Sequence, residues 1–230
     1  MWAIAAGWTA VLSRSPAVPG ILRASRRDRS CTGEPPDAEL LTDEVERRLT
    51  ANFALLFGPT TTPQLGAAVS ACRHALGRIS ASNALYHNIE HTVLVLVVGI
   101  QALLGRHIER ADLTRDDWLN VVVALACHDI GYVRRLCAAD DGDLLVANLD
   151  GERVLVAAGA SDAALMPLHV DRGKVFVDES LLPEIPLLDR SLVSACIERT
   201  RFPVPDDPAY LCTDDLPGLV RGAALIGQLS

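Results

Sequence analysis

The feature that most constrains the fold of this chain is a pair of apolar segments, residues 92–104 and 118–128, separated by a short polar stretch. Gly105 is expected to end the first segment, and a Thr-x-x-Asp pattern at residues 114–117 predicts the start of a second helix. Two helices of similar length joined by a short loop normally pack antiparallel. We therefore expect the start of the first helix to lie beside the end of the second.

The helix ends that should meet carry polar motifs. Tyr-His-Asn-Ile-Glu-His occupies residues 86–91, and Cys-His-Asp-Ile-Gly-Tyr occupies residues 127–132. If the first motif is helical, its two histidines share one face. The antiparallel arrangement would then bring His91 next to His128 and Asp129. Two imidazoles and a carboxylate at one point suit magnesium or a divalent first-row metal.

These two motifs resemble the HD-domain superfamily of metal-dependent phosphohydrolases, to which cyclic-nucleotide phosphodiesterases also belong. The resemblance covers roughly residues 85–228. It implies an all-α, single-domain helical bundle that binds a divalent cation such as Mn, Fe, Mg or Zn. It also implies that His91, His128 and Asp129 are metal ligands, and that His87 is the general acid that protonates a leaving oxygen.

The chain departs from the family pattern at two positions. The last metal ligand of the pattern is an Asp on a late helix, expected at position 224, where this chain has Ala224. A methyl group cannot coordinate a cation, so we expect weaker metal binding, although three protein ligands plus water are common in catalytic sites. Asp171, Asp214 or Asp215 could substitute. Tyr132 replaces the second His of the phosphodiesterase pattern, which argues against a dinuclear centre.

Two cations are candidates for binding the substrate. The guanidinium of Arg172 can bind a phosphate through two parallel hydrogen bonds, and the ammonium of Lys174 can bind it as a point charge. Both could instead be solvated surface residues. Their segment, His-Val-Asp-Arg-Gly-Lys at residues 169–174, resembles one that recurs in small bacterial HD proteins. Thr-Arg-Phe-Pro at residues 200–203 resembles another, so both segments are expected to face the cleft.

Two functions are consistent with these residues. The first is metal-dependent hydrolysis of a phosphate ester, with a small phosphorylated molecule or a nucleotide as substrate. The second is a degenerate HD protein that binds a nucleotide or a protein partner without turnover. A zinc protease of the His-Glu-x-x-His type is disfavoured because Asn88 occupies the position of its general base. Cys127 adjoins His128, but neighbours in a helix point about 100° apart and form no activated dyad.

Composition narrows the class of protein. Half of the 230 residues are hydrophobic and only 4% are aromatic, so the core must be built from Ala, Val and Leu. The net charge of −8 argues against binding to nucleic acids or anionic membranes, which requires a basic surface. The six cysteines lack Cys-x-x-Cys spacing and predict buried free thiols. No apolar run reaches the roughly 18 residues of a membrane span. We expect a cytoplasmic protein, and the sequence leaves its oligomeric state open.

The remaining segments are assigned from periodicity and capping residues. Residues 1–36, rich in Pro, Gly, Ser and Arg, predict a disordered N-terminal extension before a helical domain over 37–230. Residues 144–158 predict a small β-hairpin or lid loop. Further helices are expected at 37–57, from Pro63, from Ser161 through Lys174, at 189–199 and from Asp214 to the C-terminus.

Overall fold

The structure, a computed structural model, describes residues 38–228. The α-helices of this part of the chain are α1 (Ala38–Phe57), α2 (Pro63–Ile79), α3 (Ile89–Arg110), α4 (Arg115–Cys127), α5 (His169–Phe176), α6 (Arg190–Glu198) and α7 (Leu216–Gly227). The strands are β1 (Leu144–Val146) and β2 (Arg153–Leu155). The predicted all-α bundle with a small hairpin is confirmed. The predicted N-terminal extension lies outside the described residues.

Helix α4 forms the centre of the bundle. Its residues from Trp118 to Cys127 are all buried, because α2, α3, α6 and α7 pack around them. A buried amide links three helices: Asn52 of α1 accepts a hydrogen bond from Nε1 of Trp118 in α4 and donates one to the carbonyl of Ile100 in α3, each at 2.8 Å. Large apolar side chains and one satisfied polar contact therefore fix the positions of α1, α3 and α4.

The two central helices meet as expected. Thr114 caps α4, and Thr114 and Asp117 form both hydrogen bonds of a capping box. The prediction that Gly105 ends α3 is wrong, since the helix continues to Arg110 and ends at Ala111 in the left-handed conformation, with φ of 52°. A helical glycine costs only about 1 kcal/mol, and the buried apolar face of α3 provides more than that.

The segment between α4 and α5 contains the predicted hairpin. Strands β1 and β2 are antiparallel, with Leu145 opposite Val154. The continuous helix predicted from Ser161 is wrong: Ser161 caps a short 3₁₀ turn, Asp162–Leu165, and α5 begins only at His169. Pro167 lies between them, and proline lacks an N–H and disfavours helical geometry in the residue before it.

Helix α3 bears on the expectation about membranes. Among the described residues, it is the one helix long and apolar enough, by length and composition, to span a bilayer. Half of its apolar window is nevertheless buried inside the domain. A core helix of a globular bundle has this same character.

Candidate metal centre

Asp129, at the end of α4, lies at the centre of a histidine cluster. Its Oδ2 lies 2.9 Å from Nδ1 of His87, 3.3 Å from Nε2 of His91 and 3.2 Å from Nε2 of His128. The imidazole centroids of His91 and His128 are 5.7 Å apart. The structure therefore brings together the four residues that the two sequence motifs singled out.

The first motif reaches the cluster in a way that the sequence did not predict. Asn88 is the N-cap of α3 and accepts a hydrogen bond from the backbone N–H of His91. His87 precedes this cap and lies in a bend, so the expected shared helix face for the two histidines is wrong. The hydroxyl of Tyr86 donates to the carbonyl of Gly227 at 3.0 Å and ties the bend to α7. His87 thus approaches Asp129 from outside the helix.

His128 has an unsatisfied nitrogen facing Asp129. Its Nδ1 donates to the carbonyl of Leu125 at 2.8 Å, so Nε2 carries the lone pair in the neutral ring. This Nε2 is buried and has no hydrogen-bond partner. A lone pair 3.2 Å from a carboxylate oxygen is repelled by it unless a proton or a cation lies between them. The pair is therefore stable only with a proton or a cation on Nε2.

The electrostatics of the cluster favour positive charge around Asp129. Burial alone would raise the pKa of Asp129, but His128, His87 and His91 outweigh burial and hold that pKa well below its usual value. Burial likewise opposes charge on His128, yet the carboxylate of Asp129 raises the pKa of the imidazole. A cation that binds here would compete with a proton for the same lone pair.

The spacing of these atoms fits a divalent cation. Two ligand atoms bound to one ion at about 2.0–2.1 Å lie about 2.8–3.4 Å apart, from octahedral to tetrahedral geometry. The three separations from Oδ2 of Asp129, 2.9, 3.2 and 3.3 Å, fall in that range. The candidate ligand atoms of His87, His91 and Asp129 all lie within 4.8 Å of one another. His87, His91 and Asp129 could hold a metal ion.

The cluster opens into a cavity of about 310 Å³. One wall is a stack of rings in which Tyr132 lies between His87, at a centroid distance of 4.2 Å, and His169, at 4.6 Å. Nε2 of His169 lies 3.9 Å from Oδ1 of Asp129. Burial lowers the pKa of His169, and its Nδ1 donates to the carbonyl of Met166. The neutral ring therefore directs an Nε2 lone pair toward the site.

The position of His169 beside Asp129 was not predicted from the sequence, although the segment 169–174 was expected at the cleft. The contact depends on Gly131, because a Cβ there would overlap the backbone of His169. This close approach holds Tyr132 beside His169. No local sequence pattern predicts a contact between residues so far apart in the chain.

Later segments complete the cavity. Thr200 and Phe202 line it, as expected for residues 200–203, and α7 contributes Ala224. Position 224, where the resemblance to HD domains led us to expect a last ligand, lines the cavity. The three suggested substitutes are engaged elsewhere: Asp171 pairs with Lys174 and Arg201, Asp214 pairs with Arg110, and Asp215 caps α7 and pairs with Arg199.

The prediction that Arg172 binds substrate is contradicted by its contacts. Arg172 is fully buried, and its guanidinium donates to the carbonyls of Gly131, Val133 and Val146 and to both carboxylate oxygens of Asp140. These contacts use its five N–H donors, so none is left for a phosphate. Arg172 instead fastens the segment after α4 to α5.

Lys174 is also committed to protein partners. Its ammonium pairs with Asp171 at 3.2 Å and with Glu198. It is not among the residues that line the cavity. The predicted substrate contact is wrong because two carboxylates already neutralise this charge.

The comparisons with known proteins give one result. Searches of curated proteins and of solved structures gave no match. Residues 36–230 match a family model described as Npun_R2479-like, which covers the whole helical domain. The chain therefore belongs to the Npun_R2479-like family.

Proposed function

We propose that this protein is a metal-dependent hydrolase of phosphate esters. The observation that carries the proposal is the buried, unpartnered Nε2 of His128 facing the carboxylate of Asp129 at 3.2 Å. Nε2 of His91 lies 3.3 Å from the same carboxylate oxygen, and both nitrogen–oxygen separations are those expected between two ligands of one divalent cation. The resemblance of the two motifs to HD-domain phosphohydrolases supports the same assignment.

Each residue of the cluster has a role in this proposal. His91, His128 and Asp129 would hold the cation, which would supply an activated water and polarise the phosphoryl group. His87 hydrogen-bonds to Asp129 through Nδ1, so Nε2 of the doubly protonated ring would remain available to pass its proton to the departing oxygen. His169 stays neutral because burial lowers its pKa, and its Nε2 accepts a hydrogen bond from a bound water or substrate hydroxyl.

The size of the cavity is consistent with a small substrate. Pockets that bind small molecules begin at about 300 Å³, and this one measures about 310 Å³. Part of its rim is apolar, since Phe202 and Met166 are about half exposed there. A phosphate ester with an organic group of nucleotide size or smaller fits this space.

The test combines metal analysis with a phosphatase assay. Purified protein is assayed for bound metal and for hydrolysis of p-nitrophenyl phosphate with Mn²⁺, Fe²⁺, Mg²⁺ or Zn²⁺. We expect H128A to lose the metal and the turnover. The matched control is H74A, because His74 lies on α2 against Phe176, away from the cluster. Metal binding and turnover that survive in H128A would refute the proposal.

Ala224 favours a second function, binding of a nucleotide without turnover. A carboxylate is missing where the family pattern has a ligand, and Ala224 lines the cavity at that point. The variant A224D separates the two functions. If the natural chain is a hydrolase, A224D raises metal affinity on the order of 10–100-fold and both proteins turn over substrate. If turnover appears only in A224D, the natural chain is the non-catalytic form.

A further inference from the structure

Among residues 38–228, no basic side chain that could bind an anionic substrate lines the cavity itself. No arginine or lysine of the described residues lines it, and Arg172 and Lys174 are committed to protein partners. A smaller recess adjoins the cavity and shares four of its lining residues. The shared residues are Thr200, Phe202, Ala224 and Gln228. The wall of this recess also contains three arginines: Arg199, Arg201 and Arg221.

Two of these arginines are neutralised by carboxylates. Arg201 pairs with Glu198 at 2.7 Å and with Asp171 at 2.9 Å. Arg199 pairs with Asp215 at 3.1 Å. Both are therefore parts of the protein's own ion-pair network, and a ligand would have to displace a carboxylate to use them.

Arg221 differs, because no carboxylate of the described residues pairs with it. One of its nitrogens, Nη1, donates to the carbonyl of Tyr210 at 2.7 Å, and its guanidinium lies 5.9 Å from the ring of the same tyrosine. These contacts orient the guanidinium and leave its charge unbalanced. The charge is positioned but not neutralised.

The position of Arg221 relates it to the metal cluster. It lies one helical turn before Ala224 on α7, so both residues project toward the same recess. The recess has a volume of about 10 Å³, and a site of that size admits about one water-sized group. The short side chain of Ala224 lies between the recess and the cavity. One oxygen of a ligand in the cavity could therefore enter the recess and meet Arg221.

We propose that Arg221 is a substrate-binding residue whose guanidinium binds an anionic oxygen of the phosphate ester. This inference rests on the proposed function, and it identifies the basic side chain that would bind the anionic substrate. It assigns to Arg221 the role that sequence motifs suggested for Arg172 and Lys174.

The test is titration of inorganic phosphate into the full-length protein, with and without added Mn²⁺, followed by calorimetry. We expect the neutral variants R221Q and R221M to bind phosphate about tenfold to a hundredfold more weakly than the wild type, as for a lost charge-assisted hydrogen bond. R221K should recover part of the affinity, because it keeps the charge but loses the fork. R115Q is the matched control, since Arg115 begins α4, at the end opposite Asp129.

Metal content, turnover and circular dichroism are measured on the same samples. R221M retains the apolar stem, so it provides a folded neutral variant if R221Q unfolds. The proposal is overturned if either neutral variant binds phosphate as tightly as the wild type, or if the wild type binds none. Phosphate bound through Arg221 without any hydrolysis would support this inference and refute the hydrolase.

Discussion

At the scale of single residues, Asp129 governs the chemistry of the site through its two oxygens. Oδ2 faces His87, His91 and His128, while Oδ1 is turned toward His169 at 3.9 Å. Four imidazoles thus surround one carboxylate. Any change that moves Asp129 should disturb all four.

Gly131 provides a test of how tightly this arrangement is packed. We expect G131A to lower the free energy of unfolding by about 1–3 kcal/mol, because the new methyl group would overlap the backbone of His169. The measurement is urea denaturation followed by circular dichroism. The same variant should also weaken metal binding, since Tyr132 and His169 must move apart.

The control for this variant is Gly105. A Cβ at that position meets nothing within 4 Å, and the residue lies inside α3. We expect G105A to stabilise the protein by about 0.5–1 kcal/mol, the usual gain from replacing a helical glycine. A G131A protein as stable as G105A would show that the segment after α4 is loosely packed.

Residue-level prediction from sequence succeeded where a local motif carried the information. His91, His128 and Asp129 were placed together because each lies at the end of an apolar helix, and the helix pair had clear boundary signals. His169 and Arg221 were missed because their neighbours come from distant segments. The role of Arg172 was predicted wrongly because the carbonyl and carboxylate groups that accept its hydrogen bonds belong to another segment, between Gly131 and Val146. The sequence next to Arg172 does not reveal these acceptors.

At the scale of elements, α5 is joined to the segment after α4 by one buried side chain. Arg172 binds three carbonyls of residues 131–146 and the carboxylate of Asp140. Asp140 in turn accepts hydrogen bonds from the backbone of Cys137 and Val146. Burial alone would raise the pKa of Asp140, but Arg172 and these N–H donors lower it. The ion pair between Arg172 and Asp140 therefore connects the loop and its hairpin to α5.

R172K tests this role. Lysine keeps the charge but has three donors in place of five, so carbonyls and a carboxylate would remain buried without partners. We expect a loss of about 3–5 kcal/mol in the free energy of unfolding, measured by urea denaturation. R190K is the control, because Arg190 forms a similar fork with Asp178 on the exposed surface. For R190K we expect the free energy of unfolding to change by no more than about 1 kcal/mol. An equal loss in both variants would contradict a special structural role for Arg172.

Element boundaries were predictable where caps are local. The capping box of α4 involves residues three apart, so the sequence alone identifies it. The end of α3 was not predictable from Gly105, because packing of the buried face of the helix overrides a weak local preference. The break before α5 was missed although Pro167 signals it.

At the scale of the whole molecule, a net charge of −8 coexists with a locally cationic cluster. Arg199, Arg201, Arg221 and Lys174 gather near the carboxylates of α5, α6 and the segment before α7. Glu198 is the hub of this network. Burial would raise its pKa, but hydrogen bonds from Arg201, Lys174 and Tyr210 lower the pKa to about 2.

The lowered pKa of Glu198 predicts how the stability of the fold depends on pH. A carboxylate whose pKa is lower in the folded state stabilises the fold fully above its unfolded pKa, here the ordinary value of 4.5, and loses that contribution as the pH falls toward about 2. We expect E198Q to be less stable than the wild type at pH 7. As the pH falls from 4.5 to about 2, its free energy of unfolding should decrease less steeply than that of the wild type. Urea denaturation across the range measures both.

E184Q is the control for this measurement, because Glu184 is an exposed carboxylate. It should retain the pH dependence of the wild type. Parallel pH profiles for E198Q and the wild type would show that Glu198 is not the group that links the network to acid stability.

The N-cap between His87 and His91 has a consequence for how the domain can accommodate a reactant. His91 moves only with a helix of 22 residues whose inner face is locked into the bundle, whereas His87 is carried by a bend just before it. One imidazole is therefore anchored to the helix itself, and the other lies outside the helix, where Asp129 and the ring of Tyr132 hold it. In the proposed hydrolase, the helix would therefore support a ligand of the ion, and the bend would support the residue that protonates the leaving group.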